Sequence, residues 1–131
     1  MKKIILTAVC IVFLAAQSHA QCTGTGTINF QRWNNITGSA VANLTSNINY
    51  PNNPSSTGTR TTFEMQTNLG SNLGIRMYGY ICPPTTGNYI FWIASDASGE
   101  LWISTNSSPA NKIRRAYNTS STNSRQWNKF A

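Results

Sequence analysis

The sequence predicts a small all-β domain built from antiparallel strands. Of the 111 residues that follow position 20, 44 are Ser, Thr or Asn and 13 are aromatic. These residue types favour strands and turns over helices. Short apolar runs also alternate with clusters of Gly, Pro, Ser and Asn, which is typical of strands joined by turns. The length is enough for one domain.

The first twenty residues are predicted to be an export signal. Two lysines precede the apolar run at residues 4–16, and the small residues Ser18 and Ala20 stand at positions −3 and −1 of a cleavage site. The run is shorter than the roughly 20 residues of a membrane-spanning helix. We therefore expect a secreted protein, extracellular or at the cell surface, with one domain at residues 21–131 and no membrane span.

In the first half of that domain, one strand is clear. Residues 28–33 alternate between apolar and polar side chains, which predicts a strand. Residues 34–49 show no sustained period. Residues 50–60 contain two prolines and a glycine and are predicted to form a surface loop. A further short strand is predicted at residues 63–65.

The second half has a stronger pattern. Residues 75–82 alternate, residues 89–94 (YIFWIA) are apolar on both faces, and residues 100–104 form a third apolar run. A strand that is apolar on both faces is typical of a covered, central position, so Trp92 is expected in the core. Short turns at residues 83–88 and 95–99 join the three runs, which predicts an antiparallel meander.

The chain retains two cysteines after position 20, Cys22 and Cys82, and no histidine. Two cysteines in an exported domain of this size predict a disulfide. Because the bond would close a long loop, the chain-entropy model gives it a contribution of about 4 kcal/mol to the stability of the fold. The absence of histidine from residues 21–131 excludes histidine-based acid–base catalysis, Ser-His-Asp and Cys-His nucleophiles, and His-ligated metals.

Several short motifs follow one another along the chain. They are Trp33-Asn34-Asn35-Ile36-x-Gly38, Tyr50-Pro51-x-x-Pro54, Gly79-Tyr80-Ile81, Pro83-Pro84-x-x-Gly87-x-Tyr89-x-Phe91, Ser95-Asp96 and Leu101-Trp102-Ile103-Ser104. In this order, over about residues 28–131, they resemble the protective-antigen domain family, often called PA-fourteen. The resemblance implies an antiparallel β-sandwich or β-barrel that binds carbohydrate or mediates adhesion and is not catalytic. Family members continue through further strands, so we expect this chain to be a partial domain that lacks closing strands.

The resemblance also draws attention to the turn before residue 100. In glycan-binding adhesins of the family, two consecutive aspartates there hold a calcium ion, whereas here Asp96 is followed by Ala97. Asp96 and Glu100 are the candidate calcium ligands, and Asn106 can add an oxygen to the six to eight that calcium requires. The alternative is that Asp96 only ties the turn through its own backbone.

Glycans or glycoconjugates are the predicted partners, and the candidate ligand-binding residues are Asp96, Trp102 and Asn106. Aromatic rings stack on sugars, and Trp102 lies opposite Leu101 and Ile103 on its strand, where it faces either a second sheet or solvent. A structural module of a larger secreted enzyme or surface protein, with no ligand of its own, is the alternative function.

The charged residues support two other interpretations, a glycosidase and a nucleic-acid-binding protein, less well than they support glycan binding. Asp96 and Glu100 resemble a glycosidase pair only in being two carboxylates, among three acids in residues 21–131. The basic cluster of Lys112, Arg114 and Arg115 suggests a solvated strand end rather than a nucleic-acid site, because it is short and the protein is predicted to be exported. We therefore predict neither an enzyme nor a nucleic-acid partner.

Overall fold

The computed structural model describes Gly24 and residues 26–130. The predicted export signal and Cys22 lie outside these residues. The described elements are β1 (Ile28–Asn34), α1 (Val41–Thr45), β2 (Ser56–Arg60), β3 (Leu73–Tyr78), β4 (Gly99–Ser104), a 3₁₀ helix (Pro109–Asn111) and β5 (Lys112–Asn118). All strand pairs are antiparallel, which confirms the all-β prediction. No helix in the described part is both long and apolar enough to cross a membrane.

The first sheet has three strands in the order β2-β1-β3. Phe30 of β1 lies opposite Gly58 of β2 and Met77 of β3. A Cβ atom on Gly58 would lie 2.7 Å from the Phe30 ring, so the ring occupies the space above the glycine. The absence of a side chain at Gly58 therefore allows this central aromatic residue to pack against β2.

The second sheet pairs β4 with β5. Leu101 lies opposite Ala116, but the next pair joins Trp102 to Arg114. Arg115 is thus an extra residue in β5, a β-bulge, which bends a strand and changes the direction of side chains.

The core of the described part is small and lies beside the first sheet. Trp33, Ile36 and Leu44 are buried, and Tyr50 packs against them. The Trp33 and Tyr50 ring centroids are 5.1 Å apart, and the Trp33 indole nitrogen donates to the Asn49 carbonyl at 3.1 Å. Burial of this aromatic group is a main source of stability for the sheet.

A short helix closes this core, although no helix was predicted at residues 34–49. Leu44 of α1 packs directly over Gly74 of β3, where an added Cβ would lie only 2.5 Å from a Leu44 methyl carbon. Five residues are too few for a periodic signal, and such a short helix depends on tertiary packing.

The predicted surface loop at residues 50–60 is wrong in its second half, which forms β2. Its Ser and Thr residues are compatible with a strand, and the edge of β1 supplies the backbone partners. The short strand predicted at residues 63–65 is also wrong, because these residues lie outside the strands.

The predicted meander is wrong as well. β3 pairs with β1, and β4 pairs with β5. Residues 89–94 form no strand, and Ile90 and Trp92 are 74% and 59% exposed, so Trp92 is not a core residue. The predicted neighbours β3 and β4 instead pair with β1 and β5, and residues 89–94 pair with no strand of the described part. The predicted closing strands stay a prediction.

Candidate functional site

The turn before β4 is held by one buried amide. Asn118, at the end of β5, is 4% exposed. Its Nδ2 donates to the Ala97 carbonyl at 3.0 Å and to the Ser120 carbonyl at 2.7 Å. The Ser95 hydroxyl donates to the same Ala97 carbonyl at 2.6 Å. The turn is thus fixed to the second sheet through Asn118.

Further hydrogen bonds hold the turn from other sides. The Ser95 amide donates to Thr122 Oγ1 at 3.0 Å, and the Thr122 amide donates to the Ser95 carbonyl at 2.8 Å. The Ser98 hydroxyl donates to the Thr119 carbonyl at 3.1 Å, and the Ser98 amide donates to the Ser39 carbonyl at 3.0 Å. Such a rigid loop is a suitable support for a binding site.

Asp96 stands on this turn and is exposed. Among the described residues, no hydrogen bond or ion pair involves its carboxylate, so Ser95 and Asn118 hold the turn in its place. A surface carboxylate without a protein partner is available to accept hydrogen bonds from a ligand.

Glu100, the second candidate calcium ligand, is already engaged. Its Oε1 lies 2.8 Å from Arg114 Nη1, and its Oε2 accepts a hydrogen bond from the Trp102 indole at 2.9 Å. Within the described part of the chain, no group of three or more His, Cys, Asp or Glu side chains is placed to hold a metal. Calcium binding at Asp96 and Glu100 stays a prediction.

The other two predicted residues have different surroundings. Trp102 is 46% exposed, so part of its ring is available for stacking. Asn106 organises the loop after β4, where its Oδ1 accepts from the Ser108 amide at 2.9 Å and from Asn111 Nδ2 at 3.2 Å. None of these Asn106 contacts reaches Asp96. Their roles in binding stay predictions.

A cleft lies on the β5 side of this region, and sequence reasoning missed it. It has a volume of about 320 Å³. Five aromatic side chains line this aromatic cleft, together with the polar side chains Arg115, Asn118 and Gln126; the aromatic ones are Phe91, Trp92, Tyr117, Trp127 and Phe130. Trp127 is a candidate stacking residue by type, but no local pattern links residues 126–130 to β5. Asn118 connects the cleft to the Asp96 turn.

One exposed ion pair joins distant parts of the chain. Arg125 donates to Glu64 through Nε at 3.1 Å and through Nη2 at 2.8 Å. These hydrogen bonds hold the pKa of Glu64 below its usual value. Stability from this pair is therefore present at neutral pH and lost as the pH falls through the lowered Glu64 pKa. Because both groups are exposed, we expect that contribution to be small.

Two antiparallel sheets, a surface turn held by hydrogen bonds and exposed aromatic rings define a small β-sheet domain. The PA14 domain family model matches residues 32–125, and the chain belongs to this family. The resemblance predicted from the motifs is thereby confirmed. PA14 domains are carbohydrate-binding-type modules, generally non-catalytic, that occur in extracellular proteins.

The chain is also similar to a curated mouse protein, N-acetyl-beta-glucosaminyl-glycoprotein 4-beta-N-acetylgalactosaminyltransferase 1. The two are 33% identical over 85 residues, which are 65% of this chain and 8% of the mouse protein. No solved structure matches the chain.

Proposed function

We propose that this protein is a secreted, non-catalytic module that binds glycans or glycoconjugates in adhesion. The observation that carries the proposal is the turn at residues 95–98, which Asn118 fixes in place and which presents an unpaired Asp96 carboxylate to solvent. Membership of the PA14 family supports the same conclusion.

The chemistry of this surface suits sugars. Sugar hydroxyls are donors, and the Asp96 carboxylate is an acceptor that has no partner among the described residues. The exposed part of Trp102 offers a flat apolar surface, and its indole nitrogen is held by Glu100. With one free carboxylate, we expect binding to be weak, with a Kd near 1 mM or about −4 kcal/mol.

A second candidate function is an accessory role without a ligand. The chain spans 8% of the mouse transferase that it resembles, so in that protein the similar region is a small part of a much longer chain. This alternative predicts that no glycan binds.

A glycan array, with and without calcium, tests the proposal on the natural chain and on Ala97→Asp. We expect weak binding by the natural chain that a chelator does not change. Ala97→Asp should create or strengthen calcium-dependent binding, because it places a second carboxylate beside Asp96 and calcium affinity depends on the number of charged oxygen ligands.

Ala110→Asp is the matched control, since it adds the same charge in the exposed 3₁₀ helix. Calorimetric titration of calcium into all three forms gives the affinities. Tight calcium binding by the natural chain would contradict the weak-site prediction. If none of the three forms binds any glycan on the array, the accessory role is favoured.

We also propose that Cys22 and Cys82 form a disulfide. Gly24 lies beside Cys82, since a Cβ atom on Gly24 would be 3.8 Å from the Cys82 sulfur. Cys22 precedes Gly24 by two residues, so only a short stretch of chain separates Cys22 from a position next to Cys82. Mass spectrometry should show that the mass of the unreduced protein is lower than that of the dithiol form by two hydrogens, and that the two cysteines are linked. Alkylation of both thiols without a reductant would disprove the bridge.

A further inference from the structure

We propose that the aromatic cleft binds an acidic glycan, in which a hexuronate ring packs on the aromatic walls and its carboxylate pairs with Arg115. This inference rests on the proposed function and goes beyond it, because it assigns an acidic class of glycan to the cleft, which shares Asn118 with the Asp96 turn. The cleft has a volume of about 320 Å³, at the lower end of the range for small-molecule sites, and half of its lining residues are aromatic.

The bulge in β5 is the first argument. Arg115 is the extra residue between the Leu101–Ala116 and Trp102–Arg114 pairs. Bulges are frequent beside functional sites because they change the direction of a side chain. Among the basic residues in the described strands β4 and β5, Arg115 alone lines the cleft.

Charge is the second argument. The neighbouring Arg114 is engaged, since it pairs with Glu100 and lies 4.5 Å from the Tyr117 ring. Arg115 forms no hydrogen bond, ion pair or ring contact with any described residue, and no acidic side chain lines the cleft. A planar guanidinium without a partner recognises a carboxylate through two parallel hydrogen bonds. Without the two lysines of the predicted export signal, eight Lys and Arg remain against three acids, and this net positive charge also favours an anionic ligand.

The remaining walls suit a sugar ring. Trp92 and Trp127 are 59% and 50% exposed, so their rings are accessible to a ligand. Gln126 accepts a hydrogen bond from the Asn123 amide through Oε1, and its Nε2 is then available as a donor to a sugar hydroxyl. A hexuronate has an apolar ring face, hydroxyls and one carboxylate. These match the aromatic rings, Gln126 and Arg115, respectively.

Calorimetry with tetragalacturonate and with its fully methyl-esterified form tests the inference. The two ligands have the same rings and differ in charge. We expect the acid to bind about tenfold more tightly than the ester, as for a charged hydrogen bond. Arg115→Gln should reduce binding of the acid to the level of the ester and leave the ester unchanged. Trp127→Ala should weaken both.

Lys112→Gln is the matched control, because it removes a positive charge from the same strand at a residue that does not line the cleft. It should leave the preference for the acid intact. Thermal melts followed by circular dichroism confirm that each variant is folded.

Equal binding of acid and ester, insensitive to Arg115→Gln, would overturn the acidic-glycan inference. If neutral glycans still bind on the array, the proposed function stands on its own; if no glycan binds at all, both fail. Light scattering provides the remaining test. If the natural chain is a dimer and the Trp127→Ala variant is a monomer, a second copy of the chain covers the cleft. This result would also overturn the inference.

Discussion

Trp33→Ala is expected to destabilise the domain by about 3–5 kcal/mol, the usual cost of deleting a buried aromatic side chain. Trp33 is 1% exposed and is the largest fully buried side chain in the described part. The substitution removes its packing on Tyr50 and its hydrogen bond to Asn49. Because whole domains are stable by only about 5–15 kcal/mol, most of the folding free energy is at risk.

Urea denaturation followed by circular dichroism measures this loss. Trp92→Ala is the matched control, because the same group is deleted at a side chain that is 59% exposed. We expect the control to cost about 1 kcal/mol or less. Equal losses for the two variants would show that Trp92 is buried in solution, as the apolar run at residues 89–94 predicted.

Asn118→Ala is expected to have the second largest effect, a loss of about 1–3 kcal/mol. It removes the Nδ2 donor and leaves the Ala97 and Ser120 carbonyls without this partner. The free energy of opening the Ser95–Ser98 turn should fall as well, because Asn118 attaches the turn to β5. Glycan binding should weaken together with the loss of order in this turn.

Urea denaturation gives the stability, and amide hydrogen exchange at Ser98 and Thr122 reports on the turn. Asn52→Ala is the control, since Asn52 lies exposed in a loop. We expect faster exchange at both amides in Asn118→Ala and no change in Asn52→Ala. Unchanged exchange in Asn118→Ala would mean that the other hydrogen bonds of Ser95 and Ser98 hold the turn without Asn118.

The all-β class, three strands and part of the site are predictable from local sequence. β1, β4 and most of β3 are predicted because each has a clear apolar pattern over five or more residues, which is enough to define a strand. The family was found because its motifs occur in a characteristic order. The position of Asp96 in a turn followed from the Ser, Gly and Asp residues around it.

Asn118 is a site residue that its local sequence does not reveal. Asn118 carries no local signal beyond its place in an Asn-rich chain, yet it is the buried polar residue that organises the turn. Its role depends on the end of β5 lying beside Ala97, which is 21 residues away in the chain. Arg115 is similar, because a bulge is visible only once the register of both strands is known.

The amino-acid sequence by itself therefore determined the all-β class, three of the strands, the family and the exposed acidic turn, since each depends on residues close together in the chain. Tertiary structure decided which strand pairs with which, and it left residues 89–94 outside the sheets although their composition favours a central strand. It also brought Asn118, Arg115 and the aromatic residues near position 127 to one surface. The physical reason is that a strand is stabilised by hydrogen bonds to a neighbouring edge, and the identity of that edge is a property of the whole chain.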